Sequence, residues 1–234
     1  MRLAELKKKI RLLSDKEIAE TSKWFFKTGK GEYGEGDQFI GLKVPTQRKI
    51  AREFKDLNSN DLAKLLKSPI HEERLISLFI LVDRYHKADE KTKNEIFDFY
   101  IKNRKGINNW DLVDLSAPKI LGKHLHKKDK AILFKFAVSK NLWERRIAVL
   151  STYEFIKNNN YKTSLRLCKI LLNDKHDLIH KAVGWMLREI GKKDLEMEER
   201  FLRANYRKMP RTMLRYSIEK FPESKRKKYL KGKI

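Results

Sequence analysis

The stretch DLIHKAVGWMLREIG, residues 177–191, decides the fold. At about 100° per residue along a helix, Ala182, Val183, Met186, Leu187 and Ile190 form one apolar stripe, with Lys181 and Arg188 nearly opposite. The same build (charged residues, an apolar stretch, a charged or aromatic end) returns in HEERLISLFILVDRY at 71–85 and LWERRIAVLSTYEFI at 142–156. Aligning Arg74, Trp110, Arg146 and Lys181 gives steps of 36, 36 and 35 residues, each long enough for two helices. Two-helix units at this period predict an all-α chain, an α-solenoid of tandem HEAT-like helical repeats. A plain helical bundle is the competing architecture.

The rest of the chain reads the same way. Glycine (10) and proline (5) are scarce, and strand-like alternation is nearly absent. Helices are expected over 2–13 and 15–27, the second capped by Ser14 or Asp15. Pro45 opens the next, to about 56, and Asn58 or Ser59 caps another, to about 67. Others follow over 70–86 and near 90–104, 108–122, 128–138, 142–157, 161–172, 176–191, 195–207 and 210–221. Residues 28–44, TGKGEYGEGDQFIGLKV, hold five of the ten glycines and read as a loop. One repeat domain over residues 1–234 is the expectation.

The 234 residues carry 55 Lys+Arg against 31 Asp+Glu, a net charge of +24. A Lys-rich background explains part of that excess, but the rest points to a polyanionic partner. Nucleic acid comes first, because each neutralised phosphate releases condensed counterions; a ribosomal or membrane surface comes second. The curved, basic concave face of a solenoid suits a rod such as duplex DNA. Cys168 is the one cysteine, which rules out an internal disulfide and a cysteine-based zinc cluster and favours a reducing compartment. The N-terminus, MRLAELKKKIRLL, lacks the uninterrupted apolar core of a secretory signal. No apolar run approaches membrane-spanning length, so a soluble, cytoplasmic chain is expected.

Three segments carry candidate chemistry. In the first, Trp185 sits roughly 130° from the centre of the 177–191 apolar stripe, with Lys181 and Arg188 at i−4 and i+3. It is either a tryptophan packed on a neighbouring repeat or an aromatic that meets a sugar or base beside phosphate-binding cations. The second, INNWDLVDLSAP at 107–118, puts Trp110 and Asp114 on one face if it is helical. Asp111 reads as a first-turn acid favoured by the helix dipole, and Asp114 as either a cation-stabilising carboxylate or half of an ion pair. In the third, LWERRIAVL at 142–150, Arg145 and Arg146 stand on a helix apolar nearly all round and need anions. A salt bridge or a phosphate would serve either one.

Other signals are weaker. Gly29, Gly31 and Gly34 spell GxGxxG, but a helix precedes them and acids interrupt them, so the nucleotide fingerprint fails. A mobile loop presenting Lys27, Lys30 and Lys43 to a polyanion fits better. His176 and His180 have zinc-ligand spacing but no third ligand. Arg211 and Arg215 begin the last predicted helices and could extend a basic face. No Ser/His/Asp triad or paired-carboxylate site stands out.

Several of these segments together resemble the AlkD-like DNA alkylation repair glycosylases. The resemblance runs from about residue 20 to 230, through FFKTGKGEYGEGDQFIGLKVPTQRKIA, SPIHEERL, INNWDLVDLSAP, LWERRIAVLST, HDLIHKAVGWMLREIGK and PRTMLRYSIEKFPE. It implies a HEAT-like fold with a basic DNA-binding face. The implied activity is removal of cationic N3- and N7-alkylated purines from double-stranded DNA, by a monomer using no metal and no cofactor. The family's WxxxD pair falls on Trp110 and Asp114, its arginine on Arg146, and its aromatic in the GW-x-L-R-E segment on Trp185. Lys43 and the basic residues around it resemble a DNA-contacting region. The implied roles are Asp114 stabilising an oxocarbenium-like sugar and positioning water, the two tryptophans against the deoxyribose, and Arg146 on a phosphate. Lys27, Lys30, Lys43, Arg145, Lys181, Arg188, Arg211 and Arg215 are the expected DNA-binding cations. The alternative is a non-catalytic HEAT-like module that binds branched or damaged nucleic acid.

Overall fold

The computed structural model describes residues 2–234. The chain is all-α; its one β-like pairing among the described residues is an isolated bridge between Gln38 and Ile70. It divides into two compact units, one ending at Ser116 and the other running from Ala117 to Ile234. No helix among the described residues is long and apolar enough to cross a membrane.

The first unit holds α1 (Arg2–Leu12), α2 (Lys16–Phe25), α3 (Val44–Glu53), α4 (Ser59–Leu66), α5 (His71–Lys87), α6 (Glu90–Asn103) and α7 (Trp110–Ser116). Asp15 caps α2 by accepting the N–H groups of Glu17 and Ile18, and Asn58 caps α4 through the N–H of Asp61. Such caps each contribute about 1 kcal/mol. Helix α5 is the core of this unit. It packs against α3, α4, α6 and α7 and buries thirteen of its seventeen residues, which is why its sequence is apolar nearly all round. Gly41, where the loop returns to α2, has φ +83°, and a Cβ there would meet the Asp15 carbonyl at 1.9 Å. Only glycine fits that approach.

The second unit opens on a π turn at Pro118–Gly122, followed by α8 (Lys123–Leu125), α9 (Ala131–Ala137), α10 (Leu142–Ser151), α11 (Tyr153–Lys157) and α12 (Lys162–Ile170). Then come α13 (Asp177–Gly191), α14 (Leu195–Asn205), α15 (Arg211–Ser217) and α16 (Glu223–Leu230). Helix α10 packs on α13 and α13 on α15, while α9, α12 and α14 flank them. The repeat register is therefore physical. Arg146 and Lys181 mark successive stacked helices here, as Arg74 and Trp110 do on α5 and α7 in the first unit.

Three expectations are corrected. The helix expected over 108–122 is regular only to Ser116, after which the Gly122 N–H bonds five residues back to Ala117 at 2.9 Å. Pro118 has no N–H to give and its ring crowds the preceding turn, which widens the helix locally. The helix expected over 142–157 breaks at Thr152, whose hydroxyl donates to the Val149 carbonyl at 2.7 Å. The last helix, α16, was not expected at all. Only Tyr229 of its eight residues is buried, so it has no apolar stripe to read.

Gly184 sets the approach of α13 to α15: a Cβ there would lie 2.5 Å from both the Met213 carbonyl oxygen and the Tyr216 Cβ. Gly184→Ala should push the helices apart and lower the unfolding free energy by about 3 kcal/mol, read from urea denaturation.

Candidate functional site

The expected catalytic residues divide between the units. Trp110 and Asp114 stand one turn apart on α7, both half-buried. Trp110 lies flat against Phe26, centroids 5.3 Å apart and planes 18° apart, with Phe25 edge-on at 5.8 Å. Phe25 is itself 53% exposed, and Trp24 81%. Beneath α7, Tyr100 is fully buried and shares a hydrogen bond with Ser116 at 2.9 Å. Burial first, and then the charge of Asp114, push its phenol above the ordinary range.

Below Phe26 lies a buried ionic network that sequence reasoning did not find. The His71 ring packs against both Phe39 (4.6 Å) and Phe26 (4.9 Å), which also stack on each other at 4.9 Å. Its Nδ1 meets Asp37 at 3.1 Å and its Nε2 meets Asp111 at 2.8 Å. Asp37 also accepts from Arg74 at 2.6 Å and from Asn109 at 3.0 Å. Burial alone would lower the imidazole pKa, but the Asp111 charge and the bonds to both carboxylates outweigh it and push it up to about 9. Both ring nitrogens then carry protons and donate. Asp111 is thus more than a first-turn acid: it is an ion-pair partner from a helix forty residues on.

The neighbours of His71 are paired as well. Glu72 accepts the N–H groups of Ile40, Gly41 and Leu42 at 2.9–3.3 Å, which pins the end of the glycine-rich loop just before Lys43. Glu73, fully buried, meets Lys7 at 3.0 Å. The signal available in the sequence was the run HEER itself, four ionisable residues opening an otherwise apolar helix. The loop's own acids are also engaged: Glu32 accepts from the Gly29 N–H and Glu35 from the Gly31 N–H, both at 2.9 Å. Those are amides a phosphate-cradling GxGxxG loop would need.

In the second unit, Arg146 is 5% exposed on α10 and donates to the Leu178 carbonyl of α13 at 2.5 Å. Trp185 is half-buried, its indole N–H on Glu189 at 3.1 Å and its ring 5.9 Å from that of Tyr153. Several expected DNA-binding cations have partners within the chain. Arg145 bonds Asp174 at 2.6 Å and the carbonyls of Ser139 and Lys140, so the salt-bridge reading is the one realised. Arg188 pairs with Glu219, and Lys181 with Asp177 at 2.8 Å. Arg211 is exposed but donates to the Leu230 carbonyl at 2.7 Å. Lys27, Lys30, Lys43 and Arg215 are exposed, with no acid at ion-pair distance among the described residues.

His180 bonds the Asp174 carbonyl at 2.6 Å, and His176 caps α13 through the Leu178 N–H. Among the described residues no cluster of three or more His, Cys, Asp or Glu could hold a metal.

A family model for DNA alkylation repair enzymes matches residues 6–221. A solved structure from Enterococcus faecalis, described as a predicted DNA alkylation repair enzyme, superposes with a TM-score of 0.70 at 15% identity. The match covers 90% of this chain and 97% of that one, a likeness of fold. A search of the curated proteins returns no match.

The network makes stability depend on pH. His71 has its folded pKa raised from 6.5 to about 9, so its stabilisation is complete below pH 6.5 and is lost as pH rises through 9. Its part is of the order of 3 kcal/mol. Glu198, raised by burial and by Glu199 to about 8, adds a decline of the same sign below that pH. Urea denaturation across this range should show the loss in the parent and only the Glu198 share in His71→Gln.

Proposed function

Because the chain belongs to the DNA alkylation repair enzyme family, we propose that it is a monofunctional DNA glycosylase acting on cationic N3- and N7-alkylated purines in duplex DNA. The observation that carries this reading is Trp110 and Asp114 one turn apart on α7, the indole braced flat on Phe26. A flat aromatic face beside a carboxylate suits a substrate that is cationic in the ground state and gains positive charge at the sugar as it reacts.

The chemistry follows from the lesion. Alkylation at N7 or N3 leaves the purine positively charged, so when the C1′–N bond breaks its electron pair neutralises the departing base. No general acid is needed. The sugar becomes oxocarbenium-like, and Asp114 as a carboxylate stabilises it. Water bonds to C1′ and gives its proton to Asp114. Trp110 packs on the deoxyribose; for Trp185, in the second unit, the proposed role is an aromatic contact to the DNA. Arg146 holds a DNA phosphate, its guanidinium oriented by its bond to the Leu178 carbonyl. Lys27, Lys30, Lys43 and Arg215, exposed on the surface, neutralise further phosphates. The reading does not require the base to be drawn into a closed pocket, which suits bulky adducts.

The test is single-turnover release of 7-methylguanine from a duplex oligonucleotide. Asp114→Asn should lose release by about a thousandfold while duplex affinity holds, because no phosphate contact is removed. Arg146→Ala should weaken both release and binding. Parent protein that binds duplex in a salt-sensitive way and releases nothing would establish the non-catalytic module instead.

A further inference from the structure

Trp110 is bracketed in the chain by Asn109 and Asp111, and both are tied to one buried imidazole. Asp111 is tied directly, through His71 Nε2 at 2.8 Å. Asn109 is tied through Asp37, which accepts from His71 Nδ1 at 3.1 Å and from the Asn109 amide at 3.0 Å. The side-chain oxygen of Asn109 in turn receives the Trp110 N–H at 2.8 Å. The indole itself rests on Phe26, and Phe26 rests on the His71 ring.

We infer that His71 is a positioning residue for Trp110: a doubly donating imidazole that fixes the backbone on either side of the tryptophan and the aromatic surface beneath it. The effect of His71 on catalysis rests on the role proposed above for Trp110; its effect on the placement of Trp110 does not.

The imidazole is 2% exposed and cannot touch a substrate, so it acts only through its neighbours. The charged groups that face it are Asp37 from the loop, Asp111 from α7 and Arg74 from its own helix. With both protons in place it satisfies two carboxylates at once. When one proton leaves, one of those bonds loses its donor, and a carboxylate buried at the head of α7 or in the loop is left facing a lone pair. That perturbation acts at residues 109–111 and at Phe26. Arg74 holds the other oxygen of Asp37 at 2.6 Å, so the loop side is braced and the Asp111 side is the one expected to give.

The experiment uses the full chain labelled with 5-fluorotryptophan, whose four ¹⁹F resonances report Trp24, Trp110, Trp143 and Trp185. Trp110→Phe assigns the one of interest. In the parent, the Trp110 resonance should titrate with a midpoint near pH 9, while those of Trp143 and Trp185 stay in place. In His71→Gln the Trp110 resonance should be displaced and should no longer titrate there. Single-turnover release should fall about tenfold or more in that variant, with duplex affinity at the parent value. The parent titration does not depend on the variant folding. A Trp110 resonance that is flat with pH in the parent, or one that keeps both its position and its titration in His71→Gln, overturns the inference. So does a loss of release in His71→Gln with the Trp110 resonance unmoved, which would make His71 structural only. A Trp110 resonance that titrates as expected in a parent that releases no base would sink the glycosylase reading and leave the positioning role standing.

Discussion

A charge taken out of water costs several kcal/mol unless a partner and hydrogen bonds replace its hydration. The first unit is organised by that constraint at one place, where His71, Glu72, Glu73 and Arg74 lie buried in a row at the head of α5. Between them the four reach the loop, α1, α7 and the turn before α5. His71 reaches α7 and the loop, Glu72 the amides where the loop ends, Glu73 the lysine on α1, and Arg74 the carbonyl of Ser68 and Asp37. Removing any one partner would leave a buried charge uncompensated, so the loop, α1 and α7 are not free to move independently of α5. An apolar helix start would have packed as well but would not have specified which loop amide goes where.

The same economy sorts the basic residues. Some arginines are drawn in: Arg74, Arg145, Arg146 and Arg188, all buried or half-buried, each reach a carboxylate or carbonyl of the chain, because a planar fork can satisfy several acceptors at once, while others such as Arg211 and Arg215 stand exposed. Lysines dominate outside, where a compact, strongly hydrated ammonium costs nothing to expose. The excess of +24 therefore overstates neither the core nor the ion pairs: it resides in surface groups such as Lys27, Lys30 and Lys43. These are charges that a polyanion can neutralise without breaking any internal bond, and their contribution falls with salt.

Aromatic packing links the ionic network to the candidate chemistry. Rings pack offset or edge-on at 4.6–5.8 Å from Phe39 through His71 and Phe26 to Trp110 and Phe25. An indole supported on one face by a ring, which is itself held by a fixed imidazole, has little freedom to turn. Under the role proposed for Trp110, that rigidity keeps the indole face in place for a sugar or a cationic base.

Much of the fold was legible because it is local. A 3.6-residue stripe, a capping Asp15 or Asn58, a proline at the head of α3 and a 35–36-residue period are set by neighbours in the chain, and the structure realises each of them. Trp110, Asp114, Arg146 and Trp185 could be singled out for the same reason, as polar or aromatic residues off the stripe of a helix that periodicity locates. Where local pattern fails, so does the reading. Helix α16 has one buried side chain, and its place is set by Tyr229 against Tyr206 and Phe221. Which distant partner each buried charge finds lay outside the sequence. Asp111 finds His71 forty residues away, Asp37 finds Asn109 seventy-two away, and Arg145 finds Asp174 twenty-nine away. Pairings over such separations depend on how helices stack, and no periodicity encodes them. The sequence by itself determined most of the helices, their repeat and the residues worth suspecting. Only the tertiary structure decided which charges are consumed holding the protein together and which are left on its surface, because pairing is a property of distance in space, not along the chain.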